Sequence, residues 1–298
     1  MCLRCFAGCF AILIAGCSQL LGVQDPVPGD GKLPIDAPDR DGNNLGDSFD
    51  GPKDGPIAAG SPLLLSEVVL APSPGEFIEI VNTSNQTFDL TNFFVSDNGN
   101  YFRLPVGVPT VDGGDFIAQF PAGTSIPPHG VVTVAIPTAA EFTASYGIAP
   151  TFSVADATLT VVTANGIPGL TSGGEVIVLF FWDGNSDLVS DADIMLAGSP
   201  SAANSIVNKS GIVQEGIDAD TTSSAYAVDA KTITIQMGTP GSALSTKRIA
   251  LEAGNETQAG VGNGLAGEDE TSEDTRTTWD SVVFTAPDPG TVPVALLQ

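Results

Sequence analysis

From Leu63 onward the chain repeats one pattern: a short run of branched and aromatic residues, then a polar break rich in Gly, Pro, Asn and Asp. Runs of this kind predict strands over 63–70, 76–82, 93–96, 100–104, 130–136, 152–162 and 175–182. The last of these, "EVIVLFFW", is apolar almost throughout and predicts a central strand buried on both sides. Asp183-Gly184 then signals a two-residue hairpin with positive φ, so "DLVSDADIML" is expected to return antiparallel. One helix interrupts the series. Thr138-Ala139-Ala140-Glu141 forms a capping box, Phe142 and Tyr146 share a face, and Gly147 can close the last turn. Many short strands, Gly/Pro turns and one small helix, expected as a lid over one end of the sheets, predict a β-sandwich.

The run "EFIEIVN" carries a charge in an apolar strand. Ile78 and Ile80 fall on one face; Phe77, Glu79 and Val81 fall on the other. Burying an ionised carboxylate without a partner costs several kcal/mol, roughly. Glu76 shares the first face and Glu79 the second, so alternation alone leaves the buried face open.

Composition narrows the chemistry. The 298 residues include 10 Lys+Arg against 35 Asp+Glu, one His and four Cys, a formal net charge of −25. Such a surface offers no basic footprint for nucleic acid and is repelled by anionic lipid headgroups. It suits cation binding, or solubility outside the cell. All four cysteines lie at or before Cys17, so no disulfide can form within the body of the chain. A zinc site of Cys/His type is excluded by the same positions, with His129 alone downstream.

The first 17 residues hold one cation, Arg4, and an apolar run shorter than the ~30 Å of a bilayer core demands. The run ends Leu13-Ile14-Ala15-Gly16-Cys17, which resembles the lipobox of bacterial lipoproteins. That resemblance implies a signal peptide over 1–16, acylation of Cys17 and membrane attachment through its lipid; an ordinary signal peptide is the alternative. Ser18 after the cysteine implies delivery to the outer membrane or cell surface. Residues 17–60 lack any hydrophobic period and are rich in Pro, Gly and Asp, as expected of a disordered acidic spacer. Within it "DRDGNNLGDSFD" resembles a thrombospondin type 3 calcium loop. Asp39, Asp41, Asn43, Asp47 and Asp50 stand at its ligand spacing, although Asn43 and Asn44 depart from the motif. A plain acidic linker accounts for the same residues.

The segment "LLLSEVVLAPSPGEFIEIVNTSNQTFDLTNFFVSDN", followed by "FPAGTSIPPHG", "AAEFTASYGIAP" and "GGEVIVLFFWDGNSDLVSD", resembles the bacterial lamin tail domain. The resemblance covers roughly residues 61–290 and implies an immunoglobulin-like β-sandwich, with 291–298 as a tail. It further implies Ile78 and Ile80 facing the core with Glu79 on the solvent side as structural surface, attachment to a protein or an envelope polysaccharide, and no catalysis. Asp288 stands where that family's closing segment carries Thr, and the region is longer than a minimal sandwich of ~100 residues. Residues 205–290 could thus be extra strands, an insertion or a loose extension.

Catalytic constellations are scarce. His129 sits in a proline turn, "IPPHG", without an evident acid partner, which leaves no Ser-His-Asp group. Gly262-Asn263-Gly264-Leu265-Ala266-Gly267 fits G-x-G-x-x-G but lacks the flanking strand and helix, and is expected to be a flexible loop. A carboxylate pair, aided by Ca²⁺, would serve an extracytoplasmic hydrolase, and sequence spacing cannot select its members. Glu268, Asp269, Glu270, Glu273 and Asp274 are expected to form a solvated acidic loop, a second cation being the other reading.

Overall fold

The computed structural model describes residues 62–198, 207, 209–227, 238–252, 262–267, 269–280 and 282–297. Cys17 and the linker residues Asp39, Asp41, Asn43, Asp47 and Asp50 lie outside them. The strands in chain order are β1 (Leu63–Val69), β2 (Phe77–Asn82), β3 (Phe88–Asp89), β4 (Phe93–Ser96), β5 (Phe116–Gln119), β6 (Ser125–Ile126) and β7 (Val131–Ala135). They continue as β8 (Phe152–Ser153), β9 (Thr160–Ala164), β10 (Gly174–Phe181), β11 (Ser190–Gly198), β12 (Val213–Gln214), β13 (Ser224–Ala225) and β14 (Thr246–Lys247). Two five-stranded sheets result, ordered β14-β1-β2-β7-β8 and β11-β10-β4-β5-β9. The fold is all-β and immunoglobulin-like, with helix α1 (Ala139–Tyr146) and a single helical turn, α2 (Thr275–Thr278).

Between the sheets lies a core of Leu63, Leu65, Val68, Ile78, Ile80, Phe93, Val95, Phe116, Ile177 and Leu179, among others. Ile78 and Ile80 take the inward positions that the lamin tail resemblance implied for them. In β1 the phase changes midway: Leu63 and Leu65 face the core, and so does Val68. The register with β2 skips from Leu65↔Ile80 to Glu67↔Glu79, so a bulge at Ser66 flips the remaining side chains. Strand β10 pairs with β4 on one edge and β11 on the other, and its two faces feed two separate cores. This is the doubly buried central strand expected of "EVIVLFFW".

Both outer faces are also covered, which accounts for the length beyond a bare sandwich. The outer face of the β10 sheet packs against Tyr101, Phe102, Leu104, Val207 and Tyr226. On the outer face of β2, Phe77 meets Phe142 and Tyr146 of α1 edge to face, at 5.7 and 5.4 Å between ring centres. Helix α1 has the predicted capping box, and Gly147 ends it in the left-handed conformation at φ 77. It lies on the sheet face instead of over one end. Residues 291–298, expected as a tail, supply Leu296, fully buried against Leu64 and Val81. The described parts of 205–290 belong to the sandwich: β14 extends the first sheet, and Arg248 bridges to Trp279.

Three local expectations fail. Residues Tyr101–Val106 form a 3₁₀ helix, not a strand, because Asn98 turns the chain by accepting the N–H of Asn100. The stretch 152–162 breaks into β8 and β9, with the turn held by Ser153 and Thr158. The hairpin after β10 is longer than two residues, since Asp183 accepts the N–H groups of both Asn185 and Ser186 and so builds a wider loop.

Candidate functional site

The acidic side chains, expected on the surface, are in large part inside. Glu79 is fully buried. Its orientation is as expected, away from the inter-sheet core, but that face is roofed by α1 and by the chain around Asp288–Gly290. Cross-strand register places Lys247, Glu67, Glu79 and Thr133 in one row over four strands. Ser66 Oγ donates to Glu79 Oε1 at 3.1 Å; Thr133 Oγ1 and the Gly290 N–H donate to Oε2 at 3.4 and 2.6 Å. Burial pushes the Glu79 carboxyl up to about 7, reinforced by the neighbouring Glu67 charge and opposed by the Gly290 hydrogen bond. Burial raises Glu67 as well, against the pull of Ser245 and Lys247. Asp288, the residue that departs from the family pattern, forms an ion pair with Lys247, while its N–H donates to Glu67 at 3.2 Å. Glu67 and Glu79 are thus a carboxylate pair of the kind a hydrolase would use. They face a roof, however, not a cleft.

A second network sits beneath the β10 sheet's outer face. Lys209, fully buried, forms an ion pair with Asp191, and Tyr101 Oη donates to Asp191 Oδ1 at 2.6 Å. The ammonium also lies 5.6 and 5.7 Å from the ring centres of Tyr101 and Tyr226. The glycine motif at 262–267 serves this region. Asn263 clasps the Ala227 backbone through both amide atoms, at 2.6 and 3.0 Å, and its carbonyl accepts the Asp191 N–H. The expected flexible loop is a docked one, with Leu265 in the main core.

The third network is the densest. Arg248, fully buried, donates from Nη2 to both carboxylate oxygens of Asp193 at 2.7 and 2.6 Å, and from Nη1 to Glu273 at 2.7 Å. Its Nε donates to the Leu65 carbonyl at 2.8 Å, and its plane lies over Trp279 at 4.9 Å. Glu252 stands 3.5 Å from Nη2. Carboxylate oxygens of Asp193, Glu252 and Glu270 lie within 4.8 Å of one another, all three residues being buried. Of the acids expected in a solvated loop, Asp269, Glu270 and Glu273 are buried, 1–4% exposed, and Arg248 holds Glu273; Asp274 stays partly exposed, paired with Arg276, and Glu268 lies outside the described residues. Sequence reading missed Arg248 and Lys209; the one available signal is that each is among only 10 cations facing 35 acids.

His129 is half-buried in its turn, at φ 54, and its N–H donates to the Ser84 carbonyl. No hydrogen bond reaches its Nδ1 among the described residues. Exposed apolar side chains are spread over several loops, Val282 and Val294 among them, and one pair of loops is mutually braced. Loops 106–114 and 165–169 brace each other through Gly114, Asn165 and Gly169 backbone bonds and the Asn165 side chain. They hold out Val106, Val108 and Ile167, the last 89% exposed. An open hollow of about 360 Å³ lies alongside, lined by Asn100, Arg103 and residues 106–110.

Two packed sheets with covered outer faces define an immunoglobulin-like β-sandwich. Residues 56–193 match the family model of the lamin tail domain. A crystal structure of a DUF4876 family protein from Bacteroides thetaiotaomicron is similar at 13% identity and a TM-score of 0.38, over 79% of this chain and 75% of that one. A likeness that loose supports neither fold nor function. None of the curated proteins matches.

Proposed function

We propose that this chain is a non-catalytic attachment protein: a lipid at Cys17, an acidic spacer, and a lamin tail sandwich that grips a protein or envelope polymer through its loop end. One observation carries the reading. The carboxylates that could do chemistry are consumed as internal struts, whereas Val106, Val108 and Ile167 are held exposed on mutually braced loops. Loops at the ends of sandwiches are the usual contact surfaces of such domains. The lipobox-like run before Cys17 supports display on the outer membrane or cell surface, where several acyl chains would anchor stably.

A hydrolase is the second reading, favoured only by the Glu67–Glu79 pair with Glu79 near 7. It would require the Asp288–Gly290 roof to lift. The test is capture of envelope components by the full chain, compared with a Val108→Asp/Ile167→Asp variant of unchanged circular dichroism. Attachment through the loop end predicts a captured component whose recovery falls at least tenfold in the variant. Equal recovery by both chains would refute it.

A further inference from the structure

We infer that the carboxylates around Arg248 form a divalent cation site, selective for Ca²⁺, that bolts the C-terminal segment to the sandwich. This goes beyond the attachment reading and stands independently of it. Four buried acids converge there: Asp193 from β11, Glu252 from beyond β14, and Glu270 and Glu273 from the segment preceding α2. Among the described residues the ion pairs there come from one guanidinium, a formal imbalance of three charges. Asp193 is fully engaged by Arg248 and by the Leu65 N–H at 2.6 Å. Glu252 is not. It is 2% exposed, and neither of its oxygens accepts a hydrogen bond. Its Oε1 has only the ion-pair contact with Arg248, and its carboxylate joins the Asp193–Glu270 cluster. Glu273 Oε2 is likewise buried without a donor.

Hydrogen bonding among the described residues therefore does not complete this site. A cation does complete it. Oxygens up to 4.8 Å apart can share one ion bonded at about 2.3–2.6 Å, the Ca²⁺ range. Mg²⁺ retains several waters and needs shorter bonds, which a buried cluster of carboxylates serves poorly. One Ca²⁺ would reduce the imbalance from three charges to one. It would also join β11, which contacts β1, to two segments remote in sequence, much as Arg248 already does.

Trp279, stacked on Arg248, supplies a reporter, because a nearby indole sensitises Tb³⁺, a Ca²⁺ surrogate. The full chain, stripped with EDTA, would be titrated with Tb³⁺ and then with Ca²⁺, and its Tm measured with CaCl₂ and with EDTA. The expected result is saturable Tb³⁺ emission displaced by Ca²⁺, and a Ca²⁺-dependent rise in Tm. Both persist in Asp41→Asn/Asp47→Asn, which cripples the linker loop. Glu252→Gln loses the Tm rise and at least tenfold in Tb³⁺ affinity, with Glu270→Gln as the second variant should the first not fold. Trp279→Phe dims the emission but keeps the Tm rise. A wild-type Tm indifferent to Ca²⁺, a full response in Glu252→Gln, or loss of the response in the linker variant would each overturn the proposal.

Discussion

Replacing Glu79 by Gln tests the idea that this protein stores carboxylates in its interior. Glu79 ionises near 7 when folded and near 4.5 when unfolded. Its folded value is raised, so the stability it allows is complete below about pH 4.5 and is lost as pH rises through 7. The span corresponds to about 3 kcal/mol at pH 8, about 1.4 kcal/mol at pH 5.5, and almost nothing at pH 4. Gln keeps the size, and its one oxygen can take the Oε2 place and accept from the Gly290 N–H and Thr133 Oγ1 while its amide N–H groups turn to the Ser66 hydroxyl; it never ionises beside Glu67 and Asp288. Glu79→Gln should therefore match the wild type at pH 4 to within about 1 kcal/mol, and exceed it by roughly 3 kcal/mol at pH 8. Urea unfolding followed by tryptophan fluorescence at several pH values gives the difference directly. Glu175, raised to about 8, and Asp193, raised to about 6, also make the protein less stable as pH rises, but they contribute equally to both proteins and cancel. A difference that stays constant from pH 4 to 8 would show that Glu79 is ionised and compensated in the fold.

Two further outcomes test other parts of the structure. Lys209→Met leaves Asp191 buried with the Tyr101 hydroxyl but without its ion-pair partner, and should cost about 3–5 kcal/mol by chemical denaturation; a loss under 1 kcal/mol would refute the pair's part in stability. Leu296→Ala should cost about 2–5 kcal/mol, since it opens a cavity over Leu64 and Val81, whereas a free tail residue would cost nothing measurable in thermal unfolding.

Strand positions and shared faces were readable because alternation is local. The side chains of Ile78 and Ile80 point the same way whatever lies beyond the next turn. The capping box of α1 was equally local, needing only Thr138 and Glu141. Burial of Glu79 was not, because alternation says which way a side chain points and is silent on what covers it. The cover comes from Gly290, 211 residues away, and from α1. The Ser66 bulge was hidden for a related reason: the apolar run 63–70 is buried on both faces, so a phase slip leaves no mark on its hydrophobicity.

Sequence alone determined an acidic all-β sandwich, several of its strands, helix α1 and its likeness to the lamin tail domain. Only the tertiary structure decided that a set of acids lies inside, several of them around Lys209, Lys247 and Arg248. The physical reason is that a charge's burial depends on partners from remote segments: Arg248 holds Asp193, 55 residues away, and Glu273, 25 residues away.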